Sequence, residues 1–135
     1  LWIIGKDENP EKEVLKYLNL AKKRTDIQFL GYKKPKEIKD LLDFIHALII
    51  PSEWVEIGPM VFHEAIARKT NVIASNIGGN LELVHYHDQG CTLFEWGNSE
   101  DLKEKTLGFN YQKPKNHLVM SQEAHFKIIT AEYLD

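Results

Sequence analysis

Residues 47–75 decide the fold. They read Ala47-Leu48-Ile49-Ile50-Pro51, a loop to Pro59, a helical stretch through Glu64 and Ala67, then Asn71-Val72-Ile73-Ala74-Ser75. The two flanking runs are nearly continuous in apolar residues and do not alternate, which is the pattern of strands covered on both faces of a parallel sheet. Joined by a helix, they form a βαβ unit with a right-handed crossover. Runs of the same kind recur on either side, as Leu1-Trp2-Ile3-Ile4-Gly5, Ile27-Gln28-Phe29-Leu30-Gly31 and Cys91-Thr92-Leu93-Phe94. Helical periods lie between them. Ile38, Leu41, Leu42 and Ile45 keep the spacing that draws one apolar stripe, and Val14, Leu15, Leu18 and Ala21 do the same after an opening at Glu11. A third helix begins near Pro59, where the first-turn N–H has no partner in any case. A fourth follows Gly78-Gly79, and a fifth follows Ser99, whose side chain can cap it with Asp101 in the first turn. Beyond a loop at Pro114, a last helix is expected from about Leu118 to Tyr133. The alternation predicts an α/β fold with a doubly wound parallel sheet over residues 1–110, and a linker with a C-terminal helix over 111–135.

Composition narrows the function classes. The 135 residues are 43% hydrophobic and 27% charged, the balance of a soluble globular protein. Seventeen basic against twenty acidic residues leave a net charge of −3, which argues against a nucleic-acid binder. No run approaches the roughly 20 apolar residues of a membrane span, and the start is not a signal peptide. The single cysteine, Cys91, excludes an internal disulfide framework and a cysteine-rich zinc site, and suits a reducing compartment. Leu1 opens inside an apolar run with no initiator methionine, so the chain reads as a piece of a longer protein.

In doubly wound sheets the ligand crevice lies outside the carboxyl ends of the strands. The segments to search follow Gly5, Gly31, Pro51 and Ser75, and the third is the most unusual: Pro51-Ser52-Glu53-Trp54-Val55-Glu56-Ile57-Gly58-Pro59-Met60-Val61-Phe62-His63-Glu64-Ala65. Gly58 lets backbone come close to a ligand, and the N–H groups between Pro59 and Val61 offer an anion site at the helix end. Glu56 stands before the helix and Glu64 in its second turn. A carboxylate there can accept hydrogen bonds from vicinal hydroxyls such as those of a ribose, at roughly 1.5–3 kcal/mol each. Thirteen glutamates give about one pair at this separation by chance, and two solvated helix-end glutamates are the plain alternative. Their position at the ligand edge, with Gly58 and a helix start between them, favours a site.

Pro51-Ser52, Trp54, Glu56, Gly58-Pro59, Glu64-Ala65, Val72-Ile73-Ala74-Ser75 and Gly78-Gly79-Asn80-Leu81-Glu82-Leu83-Val84 together resemble the donor-binding half of family-4 retaining glycosyltransferases. The resemblance extends upstream through Phe29-Leu30-Gly31 to Leu1. It implies the C-terminal, Rossmann-like half of a GT-B enzyme, lacking the first strand and helix of that domain. Since that strand sits mid-sheet, a gap is expected unless another segment fills it. The resemblance implies a hexosyltransferase moving a hexose-type sugar from a nucleoside diphosphate donor to a glycan or lipid-linked acceptor in surface polysaccharide biosynthesis. The acceptor would be held by an N-terminal domain absent from this chain, and the chain alone is expected to be inactive. Glu56 is implied beside the donor sugar and diphosphate as the catalytic position, and Glu64 on the ribose hydroxyls. The backbone of Ile57, Gly58, Pro59, Met60 and Val61 is implied to cradle phosphate and sugar. Tyr32 and Lys33 match the region lining the nucleobase, and Gly78-Gly79 let the next helix approach the cleft. No metal or other cofactor is implied. The implied place is the cytoplasm, peripheral to the inner membrane face. One departure is the turn after the Glu64 helix, where the family has Gly and Pro and this chain has Arg68-Lys69-Thr70-Asn71.

Other residues have simpler readings. His85-Tyr86-His87-Asp88 suggests a metal pair, but the resemblance places it in a surface loop at a helix end and no third ligand is evident. His63-Glu64 lacks the second histidine of a zincin. Trp2 and Trp96 read as packing residues, whereas Trp54 has a place beside the cleft. Lys33-Lys34-Pro35-Lys36 is a solvated turn able to steer an anion. On the last helix, Phe126, Ile129 and Tyr133 form a stripe that predicts self-association. A response-regulator or flavodoxin-like binding module is the competing class, but its phosphoacceptor Asp is missing where the third strand ends in Pro51-Ser52. A GT-B sugar-nucleotide epimerase would take the same ligand class with different catalytic residues.

Overall fold

A computed structural model describes residues 1–6, 10–87 and 89–110. Within them ten elements alternate: β1 (Trp2–Ile4), α1 (Lys12–Ala21), β2 (Gln28–Gly31), α2 (Pro35–Phe44), β3 (Ala47–Ile50), α3 (Met60–Ala67), β4 (Asn71–Ser75), α4 (Gly79–Tyr86), β5 (Cys91–Phe94) and α5 (Ser99–Gly108). Every strand pairing is parallel, as continuous apolar runs joined by helices require. The strands form two separate ladders, β1–β2 and β3–β4–β5. The chain correspondingly divides into two compact units, Leu1–Asp40 and Leu41–Asp135. The expected last helix lies outside the described residues, and with it the Phe126, Ile129 and Tyr133 stripe.

In the first unit β1 pairs with β2, Trp2 opposite Gln28 and Ile3 opposite Phe29, with a register shift before Ile4. The Leu1 ammonium donates to the Asp26 carbonyl at 2.6 Å, and Arg24 grips the Asp26 carboxylate through Nε at 2.9 Å and Nη2 at 2.7 Å. That hydrogen bond holds the Asp26 carboxyl below its ordinary range, although the pair is fully exposed to solvent screening. The apolar stripe of α1 is present, but none of its residues is buried, because a two-stranded ladder offers little surface to cover them. Trp2 is exposed and not the packing residue its sequence context suggested.

The second unit holds the core. β4 lies between β3 and β5, and all five of its residues are buried. Val72, Ile73 and Ala74 meet Phe62, Ala65 and Ile66 of α3, with Ile50 and Phe94 at the ends of the flanking strands. At the amino end of β4 two polar side chains fasten the preceding helix and strand. Thr70 Oγ1 donates to the Leu42 carbonyl and Asn71 Nδ2 to the His46 carbonyl, both at 2.7 Å. Buried polar groups satisfied in this way fix one register.

Helix ends differ in detail from the sequence reading. Pro59 is the N-cap of α3, in extended backbone, and Met60 is its first residue. The cap of α5 is Asn98, whose side chain accepts from the Asp101 N–H at 3.0 Å, so Ser99 is the first helical residue and not the cap. Both are polar short side chains, and only backbone geometry separates them. At the end of α3, Lys69 adopts φ 56°, and the Lys69 and Thr70 N–H groups return to the Ile66 and Ala65 carbonyls. This is a left-handed helix stop of the kind glycine serves best.

Candidate functional site

In a parallel sheet the loops leaving the carboxyl ends share one edge. In the second unit these are the segments after Ile50, Ser75 and Phe94, and hydrogen bonds tie them together. Ser75 Oγ donates to the Ser52 carbonyl at 2.8 Å. The Gly79 N–H donates to the Glu56 carbonyl at 2.7 Å. The Trp96 N–H donates to Asn76 Oδ1 at 2.8 Å. The loop from Pro51 to Pro59 is thereby laid across the start of α4.

Two glycines make that approach possible. Gly78 caps α4 with φ 57°, a region where side chains are strained, and a Cβ there would lie 2.7 Å from the Glu56 carbonyl oxygen. A Cβ on Gly79 would collide with the Ile57 carbonyl and sit 3.0 Å from the Gly58 nitrogen. Gly58 itself faces Leu83 and His63. The residues Glu56, Ile57, Gly58, Gly78 and Gly79 are therefore gathered at one place by main-chain contact.

From this anchor the loop enters α3. The Phe62 N–H is taken by the Pro59 carbonyl at 2.9 Å, and Pro59 has no N–H, so the donors left at the helix start are those of Met60 and Val61. Two backbone N–H groups at the positive end of a helix form an anion-binding surface. Glu56 is exposed, and its carboxylate accepts from Ser52 Oγ at a long 3.5 Å. Glu64 is half-buried on α3, and no ion pair among the described residues engages it. The loop side chains Trp54, Ile57 and Met60 are exposed, Ile57 completely. This segment thus carries two N–H donors at a helix start, an exposed carboxylate in the loop before it and a half-buried one within the helix.

Tyr32 and Lys33 belong to the first unit. Tyr32 is exposed with Lys6 Nζ 5.8 Å from its ring centre, and Lys33 Nζ lies 3.7 Å from Glu37. The same glutamate accepts from the Lys34 N–H at 2.9 Å, ahead of Pro35 at the first helical position, so the lysine turn is a helix cap. The histidine pair is divided. α4 runs through Tyr86, so His85 is exposed on the helix while His87 is buried between Phe62 and Tyr86, with ring centres 6.1 and 5.0 Å away. Among the described residues no group of three His, Cys, Asp or Glu is arranged to hold a metal ion. Trp96 is half exposed and not a core residue. An open depression is lined by Glu95, Asn98, Glu100, Asp101, Lys103, Glu104 and Leu107, four acidic residues against one basic, the wrong balance for a phosphate. Among the described residues no helix is long and apolar enough to cross a membrane.

Three residues of the site, Ser52, Ser75 and Asn80, stood in the sequence motifs but had no role assigned to them. Asn80 Nδ2 donates to Ser75 Oγ at 3.3 Å, and both side chains are buried. The available signal was a serine closing a fully apolar strand and an asparagine on the inner face of a helix.

Alternating parallel strands and helices, with a glycine-pinned loop and a helix start at the carboxyl edge, define a Rossmann-like α/β fold. The model of the glycosyl transferases group 1 family matches residues 1–122, and the chain belongs to that family. It is also 27% identical over 100 residues to spore coat protein SA of Bacillus subtilis (strain 168), covering 73% of this chain. That alignment takes in 26% of the relative's length, so the chain spans about a quarter of it. No solved structure matches. Family membership displaces the response-regulator reading.

Proposed function

We propose that the second unit is the sugar-donor site of a retaining glycosyltransferase that takes a hexose from a nucleoside diphosphate. One observation carries the reading: the loop through Glu56, Ile57 and Gly58 is pinned onto Gly78-Gly79 just ahead of α3, whose first N–H groups are those of Met60 and Val61 and whose second turn carries Glu64. The N–H groups suit a diphosphate and Glu64 suits ribose hydroxyls, a pairing of donors and acceptors that matches the two halves of a nucleotide. Glu56 would lie beside the sugar and diphosphate, where the negative charge of the leaving group develops. Preorganised amides at that point stabilise the departing diphosphate without reorganising. An acceptor hydroxyl would attack the anomeric carbon, its proton passing to the leaving phosphate oxygen, with retention and without a metal. The acceptor is a glycan or lipid-linked glycan held by the N-terminal half of the protein, and the process is surface polysaccharide assembly at the cytoplasmic face of the membrane.

The test is a transfer assay on the full-length protein with UDP-, GDP- and ADP-hexoses, with and without EDTA, reading the anomeric configuration of the product. Transfer with retention that EDTA leaves intact is expected. Inversion of configuration or loss of activity in EDTA would overturn the mechanism.

A further inference from the structure

The geometry points to Ser75 and Ser52 as positioning residues that hold Glu56 in place for the reaction. This rests on the donor-site reading above. The loop that carries Glu56 has little else to hold it, since Glu53, Trp54, Val55, Glu56 and Ile57 are all exposed. Its fixed points are two carbonyls. That of Ser52 is held by Ser75 Oγ at 2.8 Å, and that of Glu56 by the Gly79 N–H at 2.7 Å. Ser52 then turns its own hydroxyl to the Glu56 carboxylate at 3.5 Å. A single line of hydrogen bonds therefore runs from the buried Asn80 amide through Ser75 and Ser52 to the exposed carboxylate.

The direction of that line is fixed. A serine hydroxyl has one proton to give. Ser75 gives its proton to the Ser52 carbonyl, so it must accept from its other neighbour, and Asn80 presents Nδ2 to it at 3.3 Å. The consequence is visible at the far side of the same amide: Asn80 Oδ1 is buried and has no hydrogen-bond partner among the described residues. Turning the amide over would let Oδ1 accept the Ser75 proton but would release the Ser52 carbonyl. A buried acceptor left unpaired is unfavourable. Because the line starts in the core beside β4 and ends in solvent, it ties the exposed carboxylate to the sheet.

The experiment uses the 135-residue chain and the variants Ser52→Ala, Ser52→Thr and Ser75→Ala. Ligand-observed NMR titrations with UDP, GDP and ADP, their hexose conjugates and the parent nucleosides give affinities for each part of the donor. The unmodified chain should bind the hexose conjugate of one base more tightly than its nucleoside. Ser52→Ala and Ser75→Ala should weaken the conjugate about tenfold while leaving the nucleoside unchanged, and Ser52→Thr should restore it. A general loss of folding would weaken both ligands together, so the difference isolates positioning. Independently of any ligand, Ser75→Ala should speed amide exchange of Gly79 about tenfold, with Val72 and Ile73 unchanged. Should Ser75→Ala not fold, the half-buried Ser52 pair of variants carries the test. Variants that keep the conjugate preference of the unmodified chain would overturn the inference while leaving the donor site standing. No nucleotide binding by either the unmodified chain or the full-length protein would overturn both.

Discussion

Gly79→Ala probes the contact on which the site is built. The added methyl would overlap the Ile57 carbonyl and reach the Gly58 nitrogen at 3.0 Å, both of them backbone atoms that no side-chain rotation can move. Either α4 shifts at its first turn or the loop lifts off. Overpacking of this kind costs about 1–3 kcal/mol. Loss of the Gly79 N–H bond to the Glu56 carbonyl adds roughly 0.5–1.5 kcal/mol, while alanine in a helix returns about 0.5–1 kcal/mol over glycine. The exposed loop yields more easily than the sheet, so the net loss should fall at about 1–3 kcal/mol. For a unit of this size that lowers the unfolding temperature by several degrees, at about 4–8 °C per kcal/mol. Gly108→Ala, at the end of α5 where nothing lies within 4 Å, is the control and should unfold at or slightly above the parent temperature. Thermal unfolding followed by circular dichroism gives both numbers, and nucleotide binding should fall in Gly79→Ala alone. If Gly79→Ala melts with the parent chain and keeps its nucleotide affinity, the pinned-loop geometry is wrong.

Three further outcomes follow from particular contacts. Lys69→Gly should stabilise the chain by up to about 1 kcal/mol in denaturant unfolding, because φ 56° is strained for lysine and free for glycine. Asn98→Ala should cost about 1 kcal/mol by removing the side-chain cap on α5, and Ser99→Ala should cost far less. Asp26 has a folded-state value lowered by its hydrogen bond from Arg24, so its small contribution is complete above the ordinary aspartate value of about 4 and fades as pH falls through the lower folded one. A carboxyl-detected NMR titration should show the Asp26 midpoint rise in Arg24→Gln, with the effect reduced by salt.

The elements of the second unit were legible because burial on both faces leaves a continuous apolar run, and no surface residue interrupts β4. The glycine-rich start of α4 was legible for a related reason: close backbone approach at Gly78 and Gly79 demands glycine in sequence. What stayed hidden depends on pairing through space. Nothing in the string says that Ser75 meets Ser52, 23 residues away, or that Asn80 completes the line. The choice between Asn98 and Ser99 as cap turned on one residue of backbone geometry. His85 and Tyr86 were read as loop although α4 continues through Tyr86, and His87, read as a surface residue at the helix end, is buried there with its ring against Phe62. Separation into two ladders was foreshadowed by the expected mid-sheet gap, whereas the exposure of Trp2 and Trp96 was not.

The central claim is that the carboxyl edge of β3–β4–β5 holds a nucleotide through Glu64 and the amides of the pinned loop. Saturation-transfer NMR of the chain with UDP, GDP and ADP tests it most directly, with Glu64→Ala in parallel. Enhancement centred on the ribose protons of one nucleotide, lost in Glu64→Ala while the fold is kept, is the predicted result. Ribose contact of equal strength in Glu64→Ala, or none with any nucleotide at millimolar concentration for both this chain and the full-length protein, would contradict the account.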